Sequence, residues 1–294
     1  MRTFPMTQLD VFTANPLEGN ALAVFTDARG LSDGELQALA RETNLSETTF
    51  VFPRDPAIER ERGVRVRIFT VAEELPFAGH PTLGTATVLR GSSGAQEVVL
   101  DLDVGRVPVR FEDPPDGPAF GEMTQVDPVF GPRHDHATLE RALGLPDGAV
   151  DRSLPVETVS TGMPFTIVPL ASLAAAQALA FDPARGNTYL AQHGGKFFYF
   201  VSRETVDPEA RLHARMLFYG GEDPATGSAA GCCIAWAVAH GVVGSDERVL
   251  IEQGLEMKRP SRIFVRAGRE GERVTRVRVG GTSIKVMSGS VALP

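Results

Sequence analysis

The sequence predicts an α+β protein of two pseudo-symmetric lobes, each a curled sheet of short strands wrapped around a central helix. Three observations predict it. First, one motif occurs twice, about half the chain apart. Gly79-His80-Pro81-Thr82-Leu83-Gly84-Thr85-Ala86 aligns without gaps on Glu222-Asp223-Pro224-Ala225-Thr226-Gly227-Ser228-Ala229. Second, each copy opens a helix that carries no charge, over Thr82 to Leu89 and over Pro224 to Ala239. A surface helix would show a polar stripe, so these two are surrounded by protein. Third, each half holds many short strand-like runs, and a curled sheet of such strands is the natural enclosure.

The elements follow in order. Thr7 to Phe12 alternates as a strand, and Asn20 to Phe25 is apolar as a second strand would be. Ser32 caps a helix running to about Thr43, with Glu35 completing a capping box. Thr48 to Pro53 is β-branched and aromatic, and Val64 to Phe69 alternates strictly; both read as strands. The first motif helix runs to about Arg90. Val98–Leu102 and Arg106–Phe111 form a hairpin around Val104-Gly105. Residues 113–118, Asp-Pro-Pro-Asp-Gly-Pro, make a linker or a long turn.

The second half repeats the scheme. A helix over Ala137–Leu143 precedes strands at Val156–Ser160 and Phe165–Pro169. A helix over Leu173–Ala180 is followed by strands at Lys196–Ser202 and Ala214–Tyr219. The second motif helix then leads to strands at Val249–Glu252, Ile263–Ala267, Val274–Val279 and Ser283–Ser290. The repeat extends beyond the motif, with Phe50-Val51-Phe52-Pro53 matched by Thr166-Ile167-Val168-Pro169. The domains are therefore placed at 1–118 and 119–282, with the last strand, 283–294, expected to return to the first lobe.

At 294 residues the chain is long enough for two domains of roughly 100 to 150 residues. A net charge of −8 with no run of Lys or Arg argues against nucleic-acid binding, which needs a concentrated basic surface. Met1-Arg2-Thr3-Phe4-Pro5 lacks the apolar core of a signal peptide. Pro224 to Ala239 is shorter than the roughly 20 residues of a membrane span. Cys232 and Cys233 are adjacent on that helix, where a mutual disulfide is implausible; they read as small buried hydrophobes. Cytoplasmic residence is the expectation.

Several residues could carry chemistry. Pro81 and Pro224 fit the first helical position, which places His80 and Asp223 at the caps. Asp223 reads equally as a plain cap or as a functional group; histidine is not a preferred cap. Gly84 and Gly227 weaken a helix but permit close backbone approach. The helix starts would favour an anion such as a carboxylate, and Thr82 and Ser228 add hydroxyls. Glu47 enters an apolar strand, either as an exposed turn residue or as an acid/base whose pKa rises on burial. No G-x-G-x-x-G follows a strand, no Walker motif is present and no metal cluster shows, so neither cofactor nor metal is expected. His134 and His136 lie in a polar loop and are expected to be solvated.

Taken in order, Asn44-Leu45-Ser46-Glu47-Thr48, Pro76-Phe77-Ala78-Gly79-His80-Pro81-Thr82, Gly221 to Ala229, and Gln253-Gly254 with Arg259-Pro260-Ser261 resemble the PhzF-like family. Asp10-Val11-Phe12 and Gly19-Asn20 fit as well. The resemblance covers essentially the whole chain. It implies a diaminopimelate-epimerase-like fold, each lobe a β barrel around its central helix, with the site in the cleft between. It implies a cofactor-independent isomerase acting on a small carboxylate-bearing substrate. The family's type member isomerises trans-2,3-dihydro-3-hydroxyanthranilic acid, a glutamate moving a proton between ring carbons. By position, the resemblance gives Glu47, His80 and Asp223 as catalytic. It gives Gly79, Gly227, Ser228, Asn20 and Ser46 as substrate-binding, with Ser228 and the Gly227 backbone at the carboxylate. It also implies a homodimer. Related epimerases and proline racemases use two cysteines, and Cys232 and Cys233 lie too far along the helix for that role. An epimerase on an amino-acid-like substrate and a non-catalytic binding protein are the competing readings.

Overall fold

The computed structural model describes residues 1–91, 93–218 and 221–294. The chain divides into two compact units, Met1–Thr124 with Gly280–Pro294, and Gln125–Val279. In chain order the first unit holds β1 (Arg2–Val11), β2 (Asn20–Phe25), α1 (Asp33–Thr43), β3 (Glu47–Phe52), α2 (Pro56–Arg62), β4 (Val64–Phe69), β5 (Glu74–Leu75), α3 (Gly79–Arg90), β6 (Glu97–Leu102), β7 (Gly105–Glu112) and β8 (Phe120–Thr124). The second holds β9 (Val129–His134), α4 (His136–Leu143), β10 (Val156–Ser160), β11 (Pro164–Pro169), α5 (Leu173–Gln177), α6 (Pro183–His193), β12 (Phe197–Ser202), β13 (Ala210–Phe218), β14 (Gly221–Asp223), α7 (Gly227–Ala239), β15 (Val249–Gln253) and β16 (Ser261–Glu270). The last strand, β17 (Arg273–Leu293), begins in the second unit and continues in the first from Gly280.

In the first unit the strands close on themselves. The order β1, β2, β3, β4, β6, β7, β8, β17 returns to β1, an eight-strand barrel. Closure leaves no unpaired edge. α3 fills the interior, packed on β1, β2, β3, β6, β7 and β8. Gly79 to Ala86 are all buried, as their lack of charge predicts. Gly84 lets the helix approach the wall: a Cβ there would lie 2.6 Å from the Leu22 side chain and 2.8 Å from Val11. α1 packs outside, with Leu36, Leu39 and Ala40 clustered with Phe25, Phe50 and Phe69. Its capping box forms as expected, Ser32 accepting from the Glu35 amide and Glu35 accepting from the Ser32 amide.

In the second unit β9, β10, β11, β12, β13, β15 and β16 pair in that order, and β14 folds back on β13. α7 lies against β10, β11 and β16, and Gly227 to Val238 are buried on every side. The indole Nε1 of Trp236 donates to the Pro155 carbonyl at 3.0 Å. A further core joins Leu139 and Leu143 of α4, Tyr189 and Leu190 of α6, and Phe198 and Phe200 of β12.

Some sequence expectations need correction. The last two expected strands are one continuous β17. Gly280 and Gly281 look like a break, but Gly280 serves a close approach: a Cβ there would lie 2.7 Å from the Gly121 carbonyl oxygen. Residues 113–118 connect β7 to β8 within the first unit. The final residue of the expected Ala214–Tyr219 strand lies outside the described residues. Two helices were not anticipated, α2 and α6. Both begin at an Asp-Pro pair, with Asp55 and Asp182 as caps and Pro56 and Pro183 inside the first turn. His134 is buried and hydrogen-bonded to the Tyr189 hydroxyl at 3.0 Å and to Thr158 at 2.9 Å, because α6 covers it. Among the described residues no helix is long and apolar enough to cross a membrane.

Candidate active site

The first unit positions three of the expected residues together. α1 ends in a left-handed Asn44, φ 52°, whose amide bonds back to Ala40. The chain then bends through Ser46, half-buried, and enters β3 at Glu47. β3 runs parallel to β2 with Glu47 opposite Leu22, which sets Asn20 two residues away on β2. From the barrel interior, α3 presents His80 one residue after Gly79. Glu47 is 9% exposed and His80 2%. Glu47 Oε2 lies 3.5 Å from His80 Nδ1, and Asn20 Nδ2 lies 3.2 Å from the same nitrogen. Burial pushes the His80 pKa down to about 3, against a hydrogen bond with the Ala21 backbone that pulls it up. The imidazole is therefore neutral at physiological pH.

The second unit holds the other group. β14 carries Asp223 opposite Met216 on β13. Pro224 and Ala225 turn the chain, Thr226 caps α7 by position, and Gly227 and Ser228 are its first two residues. Asp223 and Ser228 are both buried. The Thr226 hydroxyl donates to Asp223 Oδ2 at 2.6 Å. The Gly227 carbonyl accepts from Gln125 Nε2 at 3.0 Å.

The expected caps do not hold. α3 starts at Gly79 with Ala78 as its cap, so His80 is the second residue inside the helix and Pro81 the third. α7 starts three residues after Pro224, so Asp223 belongs to β14. Proline is tolerated anywhere in a first turn, where no amide has an intrahelical acceptor, so it does not fix which residue is first. Neither helix has a side-chain cap on its backbone. Their first-turn amides and positive ends suit a carboxylate.

Cys232 and Cys233 are fully buried in the body of α7. Burial pushes the Cys232 thiol up to about 11 and the Cys233 thiol higher still. Neither is a usable base near neutral pH. Among the described residues no group of three or more His, Cys, Asp and Glu is placed to hold a metal ion.

Sequence reasoning gave no role to Thr226, Tyr199 or Gln253, which surround Asp223. Two of them stand inside the family motifs, Thr226 in Gly221 to Ala229 and Gln253 in Gln253-Gly254, but a motif does not say what its side chains touch.

The phenazine biosynthesis-like protein family matches residues 9–289. The chain belongs to that family. It is 39% identical over 306 residues to an uncharacterized isomerase of Mesorhizobium japonicum, covering 99% of each chain. It is 35% identical over 289 residues to the trans-2,3-dihydro-3-hydroxyanthranilate isomerase of Pseudomonas chlororaphis, covering 97% of this chain and 98% of that one. Among solved structures, the phenazine biosynthesis protein of the PhzF family from Bacillus anthracis superposes with a TM-score of 0.87 at 26% identity, covering all of both chains. The fold is also that of a hydroxyproline epimerase from Agrobacterium vitis, with a TM-score of 0.64 at 13% identity, over 99% of this chain and 93% of that one. For this phenazine biosynthesis-like family member, the fold and the family are thus fixed together.

Proposed function

We propose that the protein is a cofactor-independent isomerase that moves a proton between carbons of a small carboxylate-bearing substrate. A compound of the trans-2,3-dihydro-3-hydroxyanthranilate type is the best candidate. The observation that carries this reading is the pair of Glu47 and His80: a nearly buried carboxyl group beside an imidazole held neutral. The name of the 35%-identical relative from Pseudomonas chlororaphis supports the substrate class.

In this reading Glu47 takes a proton from one substrate carbon and returns it to another on the same face. Midway, Glu47 carries the proton, and a neutral His80 puts no positive charge beside it. General acid–base work of this kind contributes about 10²- to 10⁴-fold. His80 and Asp223 hydrogen-bond to the substrate as its charge shifts. The Gly227 backbone and Ser228, at the positive end of α7, hold the carboxylate. Gly79, Asn20 and Ser46 are further substrate contacts in this reading. An epimerase would need a second base, and the buried thiols of α7 do not supply one.

The test is turnover of trans-2,3-dihydro-3-hydroxyanthranilate by the wild type and by Glu47→Gln. The reading expects activity in the first and a loss of at least about 10²-fold in the second. Equal activity in both contradicts it.

A further inference from the structure

We propose that Gln253 is a positioning residue that sets the direction of the Asp223 carboxylate, acting through Thr226 and backed by Tyr199. The part that Asp223 plays in turnover rests on the functional reading above; its placement does not.

The Gln253 side chain is fully buried at the end of β15. Its Nε2 donates to the Asp223 carbonyl at 2.7 Å and to the Thr226 hydroxyl oxygen at 3.0 Å. Its Oε1 accepts from the Thr226 amide at 3.1 Å and from the Tyr199 hydroxyl at 3.0 Å. Two donors and two acceptors are all that a primary amide offers, so every one is used. The orientation of the amide is also unambiguous. A backbone N–H can only donate and a backbone C=O can only accept, and Gln253 meets one of each.

The polarity then propagates. The Thr226 oxygen already accepts from Gln253, so its own proton is directed elsewhere. It goes to Asp223 Oδ2, 2.6 Å away. Tyr199 is fully buried, and burial raises its pKa well above the ordinary value, so the phenol stays a donor. The Tyr199 proton thus goes to Gln253 Oε1, the two Gln253 protons go to the Asp223 carbonyl and the Thr226 oxygen, and the Thr226 hydroxyl proton goes to the Asp223 carboxylate. The same amide grips the Asp223 backbone and the cap of α7, fixing the turn through Pro224 and Ala225. Gly254 follows with φ +80°, and a Cβ there would lie 2.5 Å from the Pro224 carbonyl oxygen, so β15 closes on this turn from a second side. A buried polar network that is satisfied throughout specifies a single geometry. Its cost of failure is high where a reacting group is aimed, because about 1 Å of misplacement costs about 10²-fold in rate.

Crystal structures of Thr226→Val, Thr226→Ser and Gln253→Met, with kinetics on trans-2,3-dihydro-3-hydroxyanthranilate, test this. Thr226→Val and Gln253→Met are expected to move the Asp223 carboxylate by about 1 Å or more and to lower kcat by about 10²-fold with KM little changed. Thr226→Ser, which keeps the hydroxyl, is expected to restore both. Should Gln253→Met fail to fold, Thr226→Val alone decides. An Asp223 carboxylate in its wild-type position in the variants overturns the proposal; a displaced carboxylate with unchanged kcat overturns the part given to Asp223 in the functional reading. If the wild type does not turn the compound over, the functional reading fails, and the position of Asp223 in the crystals still decides the proposal.

Discussion

Glu47 Oε2 and His80 Nδ1 lie 3.5 Å apart, and burial keeps that imidazole uncharged. The pair is a carboxyl group next to a neutral ring, not an ion pair. Its consequences for pH follow from the sign of the shift. The folded pKa of His80, about 3, lies below the value near 6.5 of an unfolded chain. Between these limits the unfolded state binds the extra proton, so stability falls as pH drops through that window. The margin of wild type over His80→Gln should shrink from pH 7 toward pH 4, by up to about 1.4 kcal/mol per pH unit. Urea midpoints of the two proteins across that range measure it. A constant margin would contradict the neutral imidazole.

The opposite sign is expected at His213. It is fully buried, with Glu252 Oε1 at 2.8 Å from Nδ1 and Glu256 Oε1 at 3.1 Å from Nε2. Burial alone would lower its pKa, but the hydrogen bonds and charges of Glu256 and Glu252 outweigh burial and raise it. A raised folded pKa stabilises below the unfolded value and is lost as pH climbs through the folded one. His213→Gln leaves the buried Glu252 and the half-buried Glu256 without the cation between them, at a cost of up to about 3–5 kcal/mol near neutrality. Thermal melts should show a larger loss at about pH 6 than at about pH 9.

Gly280→Ala probes the closure of the first barrel. The added methyl would sit 2.7 Å from the Gly121 carbonyl oxygen, which belongs to backbone and has little room to yield. Overpacking of this kind costs about 1–3 kcal/mol. Chemical denaturation should show that loss, and a wild-type midpoint would mean that β17 and β8 are not so close.

Cys232 and Cys233 should be silent. Their thiols are buried and their pKa values are raised. Iodoacetamide at about pH 8 should neither label the native protein nor reduce turnover, and labelling should follow unfolding. Inactivation coupled to native-state labelling would favour a thiol-based epimerase instead.

The duplication, the two enclosed helices and the capped α1 were legible in the sequence, because each rests on local spacing or on a repeat. Charge-free runs such as Gly227 to Val238 announce burial without any knowledge of what surrounds them. The helix starts were less legible. Pro81 sits third in α3 and Pro224 lies outside α7, since proline marks a first turn but not its first residue. Asp55-Pro56 and Asp182-Pro183 did carry the signal for the two helices that went unread. Glu47, His80 and Asp223 could be named from motifs. The approach of Asn20 to His80 depends on β2 and β3 lying parallel beside α3. The grip of Gln253 on Asp223 spans 30 residues of chain, beyond the reach of any local pattern.

The central claim is that one carboxyl group, Glu47, carries the proton from carbon to carbon. Its most direct test is incubation of trans-2,3-dihydro-3-hydroxyanthranilate with wild type and with Glu47→Gln in D₂O, following deuterium by NMR. The account predicts product from the wild type alone, with the substrate's own hydrogen carried at least in part to the receiving carbon. Product that still forms with Glu47→Gln, or a receiving carbon fully deuterated from the first turnover, would contradict it.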